Sequence, residues 1–219
     1  MKDIDIKTKI ALVMMTYDGN GKLVKFTDKI YGFYNDNNTV NFIRLSDITV
    51  IKQEYTIQYI LDKVIVVFAR NQNDLSDIRS YILDIDTFEV IYASIYRMEV
   101  INNIIYEGNN IAMYHHGENE LTRKIFDLLG NRLGEIQAYS NISIEFIEGT
   151  DYYVVRHDKV GEIHEFVSIY KIADKVEFAW SSNYYDVRCI GDGLYSFSKY
   201  GNYEYTKIYN FNKRELVEA

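Results

Sequence analysis

Read as apolar and polar positions, the chain repeats itself. Two large apolar residues, a polar residue and another apolar residue occur as Phe42-Ile43-Arg44-Leu45, Ile82-Leu83-Asp84-Ile85, Ile125-Phe126-Asp127-Leu128, Ile169-Tyr170-Lys171-Ile172 and Ile208-Tyr209-Asn210-Phe211. Successive copies are 40, 43, 44 and 39 residues apart. A second pattern, apolar-polar-apolar-apolar, runs in step with the first: Ile57-Gln58-Tyr59-Ile60, Met98-Glu99-Val100-Ile101, Ile144-Glu145-Phe146-Ile147 and Val187-Arg188-Cys189-Ile190. Val24-Lys25-Phe26 begins a fifth copy that breaks at Thr27. Short apolar runs bounded by Gly, Asn and Asp read as strands. The stretch from Ser80 to Ser94 shows the unit most clearly, as a β-hairpin with a polar turn at Asp84 to Thr87.

The second pattern supplies the first strand of each unit and the first pattern the third. The predicted second strands are 30–34, 64–69, 111–114, 152–155 and 194–197. The predicted fourth strands are 49–53, 88–93, 133–138, 176–180 and 214–217. Four short strands per unit of about 40–45 residues is the arrangement of a propeller blade. No apolar face recurs at helical spacing for more than about two turns, so no helix is expected. Apolar runs rather than clean alternation fit sheets packed on both faces.

Over nearly its whole length the chain resembles β-propellers in general. The resemblance is architectural: there is no WD dipeptide, no kelch double glycine and no sialidase-type Asp-box. It implies an all-β fold, a five-bladed β-propeller of four-stranded antiparallel blades forming one domain over 1–219. The blades fall near 20–54, 55–96, 97–141, 142–183 and 184–219. A strand at 9–17 is left over. Unpaired strand edges invite unwanted pairing, so this strand is expected to pair with the last blade and close the ring. The alternative for 9–26 is a plain hairpin capping the first blade, and an open β-solenoid is the alternative to the ring.

Composition narrows the classes. The 21 Tyr and 11 Phe among 219 residues, with abundant Ile and Val, favour strands. Pro is absent, so Gly, Asn and Asp must make the turns. The net charge of −8, without any Lys/Arg run, argues against a nucleic-acid partner, which needs a basic stripe. The short apolar run from Ile10 to Met15 is too short for a membrane span and lacks a cleavage site, so neither membrane insertion nor a leader is expected. Cys189 is the single cysteine, which excludes an intramolecular disulfide and fits a cytoplasmic protein; its apolar surroundings make it a core thiol.

Propeller topology sorts the loops by face. On one face the second strands end at Asn35, Arg70, His116, His157 and Lys199. The links between blades on that face carry Tyr55, Tyr96, Tyr139 and Tyr184, at intervals of 41, 43 and 45 residues. Aromatic rings beside hydrogen-bonding or cationic groups suit sugars or peptide side chains. The competing account is that these tyrosines wedge between blades. His115 and His116 would point to opposite faces of a strand and cannot share a metal ion. His157, His164, Glu162 and Glu165 lack tight ligand spacing, and the turn acids Asp28, Asp62, Glu148, Asp151 and Asp192 form no calcium loop. No metal or cofactor is expected. Glu99 and Glu145 fill one polar slot in consecutive blades and offer a carboxylate pair for glycan cleavage. The same slot holds Lys25, Gln58 and Arg188, which reads equally as a charge-balanced channel lining.

The expectation is therefore a non-enzymatic module that binds a protein or peptide through the tyrosine-and-basic face. A lectin-like propeller and a glycan hydrolase using Glu99 and Glu145 are the alternatives.

Overall fold

The computed structural model describes residues 8, 10, 11, 23–34, 39–45, 49–71, 74–110, 122–138, 141–158, 165–182, 186–191, 194–198, 205–211, 213 and 215–217. These form antiparallel meanders in which each strand pairs with the next in sequence. The first comprises β1 (Leu23–Lys25), β2 (Ile30–Tyr34), β3 (Val40–Arg44) and the first part of β4 (Thr49–Ile60). The second comprises the rest of β4, β5 (Val64–Asn71), β6 (Asp74–Asp84) and β7 (Val90–Ser94). The third runs through β8 (Tyr96–Ile101), β9 (Ile104–Asn110), β10 (Thr122–Asp127) and β11 (Arg132–Gln137). The fourth holds β12 (Asn141–Phe146), β13 (Tyr152–Asp158), β14 (Glu165–Ile172) and β15 (Val176–Ser182). The fifth holds β16 (Asp186–Gly191), β17 (Leu194–Ser198), β18 (Tyr205–Asn210) and β19 (Glu215–Val217). The all-β class and the four-stranded blades thus follow the repeat read from the sequence.

The chain divides into two compact units. One spans 1–98 with 128–130, the other 99–127 with 131–219. In the first, β4 is continuous over 12 residues. Its segment 49–55 pairs with β3 and its segment 56–60 pairs with β5, so one strand is the last strand of one sheet and the first strand of the next. Phe42, Tyr55, Ile65, Val67 and Leu83 meet in the core between these two blades.

In the second unit, successive residues of β13 bury on opposite sides of the sheet, as the pleat requires. Tyr153 and Val155 join Ile104, Ile125 and Ile136 of the preceding blade. Tyr152 and Val154 join Tyr195 and Phe211 of the following one. Each fully buried side chain of this kind contributes roughly 1.5–3 kcal/mol relative to exposure. This two-sided burial is why the strands read as apolar runs. Gly134 of β11 faces Val176 of β15, and a Cβ at that glycine would sit 2.9 Å from the valine Cβ. A branched, inflexible neighbour cannot yield, so the approach of these two strands depends on glycine.

The polar slot of the third-strand pattern has a structural cause. Asp84 accepts the backbone N–H groups of Asp86 (2.9 Å) and Thr87 (2.7 Å) on Oδ1. Asp127 accepts the N–H of Asn131 at 2.8 Å and its side-chain amide at 2.9 Å. Asn210 accepts the N–H of Lys213 at 3.0 Å. Short polar side chains that fold back on the following backbone initiate turns. The apolar residue after the slot donates its N–H to the residue before the second strand. This recurs as Leu45 to Lys29, Ile85 to Lys63 and Ile172 to Asp151, at 2.8–2.9 Å. The pattern therefore marks the spot where the third strand ends, turns and locks onto the second.

Two expectations change. In the third blade the second strand is β9, 104–110, rather than 111–114, a stretch outside the described residues. The apolar Ile104-Ile105-Tyr106 directly after the Asn102-Asn103 turn is the better strand, and all three residues are buried. Of the expected closing strand 9–17, only Ile10 and Ala11 are described, and both are helical, as is Thr8. On a strand Thr8 and Ile10 would share a face. Here Thr8 is exposed and Ile10 is buried against Phe33 and Ile43, which is helical rather than pleated spacing.

Candidate functional site

Of the residues that the sequence singles out at the link end, Tyr55, Tyr96, His157 and Arg70 are described. Tyr55 is 2% exposed, with its ring 6.3 Å from Phe42 and 6.0 Å from Tyr81. Burial pushes its hydroxyl up to about 12, with a smaller contribution from Tyr81. Tyr96 is 4% exposed, and its N–H is held by Ser94 Oγ at 3.0 Å. Both are packing residues, the wedge account of these tyrosines. A buried ring has no face to offer a ligand.

His157 is 5% exposed and stacks on Phe166, its cross-strand neighbour, with centroids 5.8 Å apart. Its Nε2 lies 3.4 Å from Ser168 Oγ. It is thus a core histidine rather than a surface one. Arg70 lies in β5, paired with Ile78 of β6. Asn35, His116, Tyr139, Tyr184 and Lys199 lie outside the described residues.

The acids of the inner strands are engaged locally. Glu99 accepts a hydrogen bond from Tyr106 at 2.9 Å. Glu145, with a side chain 54% exposed, lies 3.9 Å from Arg156. Nothing holds Glu145 in the dry, enclosed setting that a glycosidase acid requires. In the same slot Lys25 pairs with Asp28, Arg188 is exposed, and Gln58 is the bulge residue between Ile57 and Tyr59. The Lys25–Asp28 hydrogen bond and charge raise the lysine and lower the aspartate from their ordinary values. Among the described residues no three His, Cys, Asp or Glu side chains converge as metal ligands, and no helix is long and apolar enough to cross a membrane.

A cleft opens instead at the opposite end of the third and fourth blades. Its volume is about 390 Å³, within the range of small-ligand sites. The turns bring its polar groups together: Asn102 and Asn103 from the β8–β9 turn, Asp127 from the end of β10, and Asp151 from the β12–β13 turn. Its apolar walls are Ile104, Leu133, Phe146 and Ile172.

Tyr153 anchors the floor. Only 1% exposed, its ring lies 5.2 Å from that of Phe146 and tilted by 49° to it, and its hydroxyl accepts from Asn102 Nδ2 at 3.3 Å. Burial raises its pKa most. Hydrogen bonds from the Asn102 side chain and the Asn103 backbone oppose that rise, and the Asp151 charge adds to it. The Asn102 amide occupies one acceptor site of that oxygen. Asn102 adopts a left-handed backbone (φ 49°), a conformation that asparagine tolerates better than most residues. Of the cleft's polar residues the sequence reading picks out Asp127 in the third-strand slot and Asp151 among the turn acids, and it passes over Asn102 and Asn103.

No protein-family profile matches the chain, and no curated protein matches it. Solved structures similar to it include two described as β-propeller domains and a computationally designed protein. The β-propeller domain of the Trilobed protease from Pyrococcus furiosus has 18% identity, covering 90% of this chain and 71% of that one, with a TM-score of 0.40. The WD40 β-propeller domain of Doa1 has 11% identity, covering 91% and 68%, with a TM-score of 0.35. The computationally designed Ika8 protein has 14% identity, covering 90% and 59%, with a TM-score of 0.34. The chain spans less than two-thirds of the length of that last protein.

Proposed function

We propose that the chain is a single five-bladed propeller domain that works as a non-enzymatic module binding a protein or peptide. The observation that carries this reading is the cleft at the turn end of the third and fourth blades. Its mixed lining of amides, carboxylates and apolar walls suits the polar and apolar parts of a peptide together. The face with Asn35, His116, Tyr139, Tyr184 and Lys199 is a second candidate surface on the same domain. A cytoplasmic setting accords with the single cysteine. A glycan ligand is the alternative, favoured by Phe146 standing beside Asn102, Asp127 and Asp151. A hydrolase acting through Glu99 and Glu145 is the third reading.

The test is a screen of the full chain against peptide and glycan arrays, repeated with Asn102→Ala. Peptide binding that weakens in the variant supports the proposal. Glycan binding alone moves the assignment to a lectin. Glycan cleavage that disappears in Glu99→Gln or Glu145→Gln, with an unchanged melting temperature, replaces it with the enzyme reading.

A further inference from the structure

We infer that Asn103 and Ala173 control admission to the cleft; this deepens the peptide-binding reading, and the ligand it concerns rests on that reading. The observation is a difference between equivalent turns. One residue stands directly before the second strand of a blade, Lys29 before β2 and Asn103 before β9. Another stands directly after the third-strand pattern, Asp86 after Ile85 and Ala173 after Ile172. Between the first two blades these positions meet. Lys29 Nζ lies 3.0 Å from both carboxylate oxygens of Asp86. Arg44, in the polar slot of the first blade, donates to the Thr87 carbonyl at 3.4 Å. The turns of the first blade are thus strapped to the turn of the second.

Between the third and fourth blades the same positions cannot form that strap. Asn103 carries no charge, and the Ala173 methyl offers no polar atom to pair with. The slot that holds Arg44 in the first blade holds Asp127 in the third. An ionised carboxylate has no N–H to send across, and both oxygens of Asp127 take Asn131. Asn103, Ala173 and Asp127 all line the cleft. The opening therefore lies at the place that Lys29, Arg44, Asp86 and Thr87 bridge in the first pair of blades.

What stands in place of the strap suits a peptide. The methyl of Ala173 leaves room at the rim, and the Asn103 amide can donate to a peptide carbonyl and accept from a peptide N–H. A lysine at 103 would instead lay its stem along the apolar wall of the cleft. The strap between the first two blades is a surface pair, its side chains 68% and 40% exposed, and such pairs hold weakly. A strap at the cleft would act as a gate that a ligand displaces, lowering its affinity by the fraction of chains that stand open.

The test builds the strap where it is missing, in the full chain. Asn103→Lys with Ala173→Asp leaves the net charge unchanged and alters only exposed turn positions. Access to the cleft is read without a ligand, from the rate at which a thiol introduced by Leu133→Cys in a Cys189→Ser background reacts with a soluble reagent. The paired change is expected to slow that reaction about two- to fivefold, the reach of an exposed ion pair, and about 0.5 M salt should restore it. Amide hydrogen exchange at 102–104 repeats the comparison without the thiol and should slow in the same way. The affinity of the peptide best retained by the parent chain on the array should fall by a similar factor, with the melting temperature unchanged. Labelling and exchange as fast in the paired variant as in its parent overturn the inference and leave the peptide-binding reading in place. So does slowing by Asn103→Lys alone that equals the slowing by the pair, because Ala173 then decides nothing. Slowing that salt relieves, with no peptide bound by the parent chain, upholds the gate and removes the peptide-binding reading.

Discussion

Tyr153 and His157 stand four residues apart on the same face of β13, and their fates differ. Both are almost wholly buried. Tyr153 sends its hydroxyl toward the turn end, where Asn102 meets it and a cleft opens above it. His157, toward the link end, closes against Phe166 and Ser168 inside its own sheet. Tyr55 and Tyr96 repeat the second behaviour in the other unit. A polar atom on a buried side chain thus becomes available only where the neighbouring blade's turn leaves room beside it. In the described residues that room exists at the turn end. Of the periodic tyrosines, Tyr55 and Tyr96 stand where the sheets take up large rings as filler, so at these two positions recurrence accompanies packing.

The strongest way to break this contrast is Tyr55→Ala. A packing tyrosine should cost about 3–5 kcal/mol of unfolding free energy, measured by chemical denaturation, with peptide affinity unaltered. A stable variant that loses ligand would return the link end to recognition.

A second test uses pH. A phenol that titrates near 12 in the fold and near 10 when unfolded favours folding fully below pH 10. That contribution fades as pH rises from about 10 to 12. Tyr55→Phe should flatten stability across this window, and a residual slope from Tyr153 and Tyr170, both raised by burial, should persist. An unchanged slope would mean that Tyr55 is wetter than its packing implies.

The turn end predicts smaller effects. Asp84→Ala removes the acceptor of two backbone N–H groups and should cost about 1–3 kcal/mol. Tyr153→Phe keeps the ring and loses only the hydroxyl's partners, for about 1 kcal/mol, yet it should weaken peptide binding. A loss of stability without any change in binding would make the tyrosine filler, like its counterparts at the link end. At the bottom of the scale, Lys25→Ala breaks a surface pair and should leave the melting temperature unmoved.

The blades were legible because each one demands the same thing at the same place. A third strand must end and turn, so Asp84, Asp127 and Asn210 recur in one slot, flanked by residues buried on both faces. The cleft was not legible, because it arises between turns of two blades. Asn102 and Asp151 are 49 residues apart, and each is an ordinary turn residue alone. The N-terminal segment misled for another reason. Ile10 to Met15 is apolar enough for a strand, and a run that short has no periodicity to separate strand from helix. Only the burial of Ile10 with exposure of Thr8 does so.

The continuous β4 carries a consequence for how this chain comes apart. A strand that lends one half of its length to each of two sheets cannot leave one without tearing the other. The first two blades should therefore open as one cooperative block in native-state hydrogen exchange, with amides of β3 and β5 protected to a common free energy. Between β7 and β8 only Ile95 intervenes, and there the chain changes sheets instead of sharing a strand. Exchange should distinguish the two junctions, and a cut or circular permutation that the second tolerates should be ruinous within 49–60.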